Sequence, residues 1–313
     1  MGKSKMLIII AILISLIVLG GLWLYFGILT KPDRQLLTSQ PLTVKAGKTE
    51  RRYWVYAPRD WDKSEPIPMV MALHGYKDNP RLFGLYTGFA NIAEKEGFLL
   101  VLPEGTQAPG AFGARSWNAE ICCDYAWEQG VDDIAMLDQV MEDVTSKYRI
   151  DKERRYITGF SNGAMMAEHY IATRPEAFSG AAFVAAAFSI EKHTIQTPIE
   201  GMNVLMINGQ LDRSVPVDGG RAENNGTNWS TRQEMVDVWA KAAGCERSKT
   251  SSTEEYDTER FIGCEGGKVV EARLYHQLGH TWPGARYLNP GQPIASGSRM
   301  VWDFFQNIRT QTD

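Results

Sequence analysis

The sequence lacks the marks of several large functional classes. No Lys/Arg-rich patch stands out beyond the short N-terminus, and a formal charge of −4 with pI near 5.8 offers nucleic acid no basic footprint. Cysteine is sparse, with four in 313 residues, and no pair has C-x-x-C spacing, so the usual zinc-ligand pattern is missing. Internal repeats and low-complexity tracts are absent. No domain boundary shows beyond the first forty or so residues. Charged residues make up only 22% against 44% apolar, an ordinary globular balance.

The longest hydrophobic run is at the N-terminus. Met6 to Leu29 carries no charge over 24 residues, enough as a helix to cross a bilayer. No small-x-small cleavage site follows Leu29, and no cysteine there could accept a lipid. A signal anchor over residues 1–30 is the expectation, with a cleaved signal as the alternative. Both place the rest of the chain outside the cytoplasm, membrane-anchored by residues 6–29 or secreted. Residues 31–41 read as a linker and 42–313 as one domain.

The even cysteine count suits an oxidising compartment. Cys245 and Cys264 flank a polar stretch and are the expected disulfide. Adjacent Cys122 and Cys123 could be a strained pair, two free thiols or cross-paired. Nine tryptophans imply either aromatic packing or an aromatic surface for substrate.

Beyond the linker, strand-like runs alternate with helical ones. Strands are expected at 51–56, 69–73, 98–102, 156–160, 180–187, 203–208 and 269–275. Helices are expected at 82–96, 131–148, 163–173, 231–243 and 296–308. The runs Met69–Leu73 and Phe98–Leu102 are continuously apolar, as strands buried on both faces are. Alternation of this kind implies an α/β fold with a mostly parallel sheet covered by helices on both faces. Residues 105–130 form a long loop rich in Gly, Ala and aromatics.

Gly159-Phe160-Ser161-Asn162-Gly163 joins an expected strand to an expected helix, the setting in which G-x-S-x-G makes a nucleophile turn. A serine hydroxyl needs a base. Of five histidines, His280 sits in a Gly-flanked loop after the last strand, while His276 continues that strand. Asp212, in the loop after strand 203–208, is the candidate acid, with Asp218 its rival. An Asx-turn or an Arg213 ion pair would be the plainer roles for Asp212. Asp132 and Asp133 precede the serine and read as helix-capping residues. Backbone N–H groups of Asn162 and Tyr76 are the expected oxyanion donors. His74 organises the second loop or lines the pocket. Trp117 and Trp282 are further pocket-wall candidates, with packing the alternative.

Together, His74-Gly75, Ser116-Trp117-Asn118, Cys122-Cys123, Val131-Asp132-Asp133, Gly159 to Met165, Asp212 with Val215-Pro216, and Gly279 to Gly284 resemble the polyhydroxybutyrate depolymerase/feruloyl esterase family. The resemblance covers about residues 45–308. It implies an α/β-hydrolase domain, no metal or other cofactor, a Ser161-Asp212-His280 triad, and a small-molecule or oligomeric ester substrate. A tethered enzyme is badly placed to work on a bulk polymer granule, so soluble esters or oligomers are the expected substrates. A serine peptidase of the same fold and a non-catalytic binding module are the competing readings.

Overall fold

The computed structural model describes the chain apart from residues 1–5, 7–8, 11, 18, 22–28, 48, 111–112, 121, 189–200, 224–225, 287–295 and 310–313. Ten strands build the main sheet: β1 (Leu42–Ala46), β2 (Thr49–Tyr56), β3 (Ile67–Leu73), β4 (Leu99–Pro103), β5 (Ile150–Phe160), β6 (Gly180–Val184), β7 (Asn203–Gly209), β8 (Arg247–Ser252), β9 (Tyr256–Ile262) and β10 (Val270–Tyr275). Their spatial order is β1-β2-β4-β3-β5-β6-β7-β10-β9-β8. The six strands from β4 to β10 run parallel, and two antiparallel strands flank them at each edge.

The labelled helices are α1 (Lys31–Thr38), α2 (Pro80–Thr87), α3 (Phe89–Glu96), α4 (Asp124–Glu128), α5 (Asp133–Lys147), α6 (Asn162–Thr173), α7 (Arg232–Ala242) and α8 (Gly297–Arg309). Side chains of β3 alternate between two cores. Met69, Met71 and Leu73 join α5, α6 and α7 on one face. Val70 and Ala72 join α1, α2, α3 and α8 on the other. All seven β3 residues are buried, which accounts for its unbroken apolar sequence.

The single helix expected over 82–96 is two, divided at Gly88, whose φ of +73° a helix cannot continue through. The polar stretch between Cys245 and Cys264 is the β8–β9 hairpin, whose Arg247 faces Ile262. The Cys245–Cys264 disulfide closes its open end. Cys122 and Cys123 are bonded to each other across a cis peptide.

Two N-terminal expectations are corrected. Among the described residues no helix is long and apolar enough to cross a membrane, so a spanning helix over 6–29 is not supported. Its described positions are mostly helical, with Ile12, Leu16 and Ile17 exposed. Residues 7–8, 11, 18 and 22–28 of that run lie outside the described residues. The expected linker is a docked helix instead. Thr30 and Asp33 form a capping box at the start of α1, and Leu36 is fully buried against the domain. Asp33 accepts from Asn91 Nδ2 at 2.7 Å and Arg286 Nη1 at 3.2 Å.

Candidate active site

Ser161 ends β5 and precedes α6 with φ +52° and ψ −125°, a backbone conformation that costs energy for any residue with a Cβ. Surrounding structure holds it there. Its N–H donates to Val184 O at 2.8 Å on the neighbouring strand. A Cβ on Gly159 would lie 2.3 Å from Gly163 O, and one on Gly163 would lie 2.3 Å from His74 O. Both glycines of the motif are therefore demanded by close backbone approach.

His280 Nε2 lies 2.9 Å from Ser161 Oγ, and its Nδ1 lies 2.7 Å from Asp212 Oδ2. The three residues come from loops after β5, β7 and β10, at the C-terminal ends of parallel strands. The Asp212 side chain is 1% exposed and that of His280 24%. Asp212 Oδ1 accepts the backbone N–H groups of Ser214 at 2.8 Å and Val215 at 2.9 Å. The Asx-turn weighed against a site role is thus real, and the carboxylate engages His280 with its other oxygen. The acid and histidine loops are stitched together through Leu211 N–H to Leu278 O at 2.9 Å.

Other titratable candidates lie elsewhere. His276 is half-buried; its Nδ1 lies 3.1 Å from Glu254 O and its Nε2 3.2 Å from Asp257. Those two contacts raise its pKa. His169 sits on α6, and burial lowers its pKa. His193 is outside the described residues. Asp132 caps α5 through Ala135 N–H. Asp133, also expected to cap, is instead the first residue of α5: its buried carboxylate accepts from Arg51 at 2.7 Å and from Asn118 N–H at 2.8 Å.

A cleft of about 400 Å³ opens at Ser161 and His280, lined also by Tyr76, Met165, Val215, Trp229 and the Cys122–Cys123 pair. The three pocket-wall candidates do not line it. Trp282 packs edge-on against Phe83 and Phe89 in the opposite core. Trp117 is fully buried and donates its indole N–H to His74 O at 2.9 Å. His74 is also fully buried. Its Nε2 accepts from Gly105 N–H at 3.0 Å, which leaves Nδ1 to donate to Gly75 O at 2.8 Å. Burial pushes its pKa down to about 4, so it stays neutral. Met165, Trp229 and the cysteine pair were not singled out as pocket residues. Only the placing of Met165 one helical turn past the serine could have pointed to one of them. A larger cavity of about 600 Å³ lies at the opposite strand ends, and no histidine is among its described lining.

Tyr76 borders the cleft on the loop after β3, and Asn162 is the first residue of α6, where the N–H has no acceptor within the helix. The Tyr76 hydroxyl bonds to Asp124. Among the described residues no cluster of His, Cys, Asp and Glu could hold a metal ion.

Known proteins align with this architecture. The Esterase family model, described as "Putative esterase", matches residues 45–272. Feruloyl esterase B of Piromyces equi is 23% identical over 265 residues, covering 82% of this chain and 45% of that protein. Poly(3-hydroxyalkanoate) depolymerase C of Paucimonas lemoignei is 30% identical over 118 residues, covering 38% of this chain and 27% of that protein. This chain thus spans less than half the length of either relative. Among solved structures, an acetyl xylan esterase from Aspergillus awamori superposes with a TM-score of 0.59 at 18% identity. That alignment covers 86% of this chain and 99% of the other, and establishes a shared fold.

Proposed function

The chain belongs to the Esterase family, and from that premise we propose that it hydrolyses carboxylic esters with Ser161 as nucleophile. The observation that carries this reading is the Asp212–His280–Ser161 relay, with bonds of 2.7 and 2.9 Å. His280 Nε2 takes the hydroxyl proton as Ser161 Oγ attacks the ester carbonyl carbon. Asp212 holds the Nδ1–H and stabilises the imidazolium that forms. Backbone N–H groups of Tyr76 and Asn162 receive the developing oxyanion. The tetrahedral intermediate then expels the alcohol, which leaves with the proton from His280. Water, deprotonated by the same histidine, attacks the acyl-enzyme and frees the acid and Ser161.

The Met165, Val215, Trp229 and cysteine-pair walls suit a compact apolar acyl group. Feruloyl, acetyl and short hydroxyalkanoyl esters are the candidate classes. Two disulfides and the apolar run from Met6 support an extracytoplasmic site of action. Mass spectrometry of the native N-terminus tests for a cleaved signal.

The decisive assay profiles the full chain on aryl esters of increasing acyl length, feruloyl and acetylated-sugar esters, and 3-hydroxybutyrate oligomers. Ser161→Ala should lower kcat by a factor of about 10⁴ or more while leaving the protein folded. Wild-type rates in that variant would remove Ser161 as nucleophile. Faster cleavage of peptide anilides than of any ester would move the reading to a peptidase.

A further inference from the structure

The two proposed oxyanion donors come from segments far apart in sequence, and one buried residue grips the frame of both. Trp117 donates its indole N–H to His74 O at 2.9 Å, two residues before Tyr76. Its backbone N–H donates to Asn162 Oδ1 at 2.7 Å, and its carbonyl accepts from Asn162 Nδ2 at 3.0 Å. A side-chain amide that engages both polar groups of one residue has little freedom left to rotate. Trp117 and His74 are 0% exposed and Asn162 1%, so breaking any of these bonds leaves a polar group without water to replace the partner.

The His74 ring adds direction. Its Nδ1–H donates to Gly75 O at 2.8 Å, while Gly105 N–H fixes the far side of the ring. Gly75 C=O and Tyr76 N–H belong to one peptide unit. That unit is planar and trans, so a carbonyl aimed at the His74 ring points the N–H the opposite way. Trp117 is itself anchored through its neighbour. Asn118 N–H donates to Asp133 at 2.8 Å, and Asn118 Nδ2 donates to Val131 O at 2.9 Å.

We propose that Trp117 and His74 are positioning residues of the oxyanion hole: the His74 ring aims the Tyr76 N–H, and Trp117 sets its distance from the Asn162 N–H. This rests on the ester-hydrolase reading. It gives a role to side chains that touch neither substrate nor the Asp212–His280 pair. A residue that merely fills space would affect folding and nothing else. A positioning residue affects the transition state more than substrate binding.

The test compares full-length wild type, Ser161→Ala, Trp117→Phe and Asn162→Asp on a short-chain aryl ester, with phenylboronic acid as a probe of the tetrahedral state. Trp117→Phe keeps an aromatic ring, loses the donor to His74 and leaves a small cavity, which the Tm reads separately from kcat. Asn162→Asp keeps the acceptor for Trp117 N–H and loses the donor to its carbonyl. Each should lower kcat by about tenfold or more, a fraction of what deleting a whole oxyanion donor costs. KM should move by no more than about threefold, and boronate affinity should fall in step with kcat. A folded Trp117→Phe with a lower Tm but wild-type kcat and boronate affinity would overturn the proposal. If that variant does not fold, an unchanged kcat in Asn162→Asp overturns it equally. Wild type that hydrolyses no ester would sink the underlying reading and this one with it. An active, Ser161-dependent wild type beside unaffected variants would sink this one alone.

Discussion

Two buried carboxyls a short way from Ser161 differ in what surrounds them. Asp212 has three N–H donors, two from backbone and one from His280. Glu168, on α6, has a single neutral one among the described residues, Trp239 Nε1 at 2.7 Å. Burial without a cation pushes the Glu168 pKa from 4.5 up to about 8, only partly offset by the Trp239 bond. Between those two pH values the folded chain keeps a proton that the unfolded chain has released. The protonated carboxyl's contribution to stability is therefore complete below about pH 4.5 and is lost as pH rises towards 8. Glu168→Gln retains an acceptor for Trp239 and removes the titration. The wild-type Tm should fall relative to this variant from pH 5 to 8, with the variant ahead at pH 9. Parallel melting curves across that range would show that Glu168 ionises normally.

At the scale of elements, α6 seats directly on the end of β3. A methyl at position 163 would meet His74 O at 2.3 Å and Leu73 O at 2.4 Å, both backbone atoms in a buried strand end. Gly163→Ala should therefore destabilise the fold by about 3 kcal/mol, the upper end for an overpacked site, and depress activity with it. Urea titration with parallel activity assays would show it; an unaltered midpoint would mean that α6 can shift freely. The same packing made this region readable. The sheet centre and the serine turn are dictated locally, by apolar runs, two glycines and a helix beginning at once. The β8–β9 hairpin was not readable, because all six residues of β8 are exposed and no alternation marks its faces. Neither was the grip of Trp117 on Asn162 and His74, whose partners stand 45 and 43 positions away in sequence. The order of Ser161, Asp212 and His280 was legible; which oxygen of Asp212 would serve the turn was not.

For the molecule as a whole, the Cys245–Cys264 bond spans 19 positions and shuts the base of a polar hairpin that buries little of its own surface. In the chain-entropy picture a loop of that size contributes about 3 kcal/mol by limiting the unfolded chain. Replacing both cysteines with alanine should lower stability by about that amount in denaturant titration, with ester turnover by the remaining folded protein unchanged. A loss of turnover without loss of stability would tie the hairpin to the chemistry instead. The N-terminal helix α1 has a different consequence. It is fastened to the body of the domain by buried Leu36 and by the Asp33–Arg286 contact, and Arg286 lies six residues past His280. Between Thr30 and the cleft there is thus no free joint. A group attached to α1 itself would therefore keep one compass bearing relative to the cleft mouth.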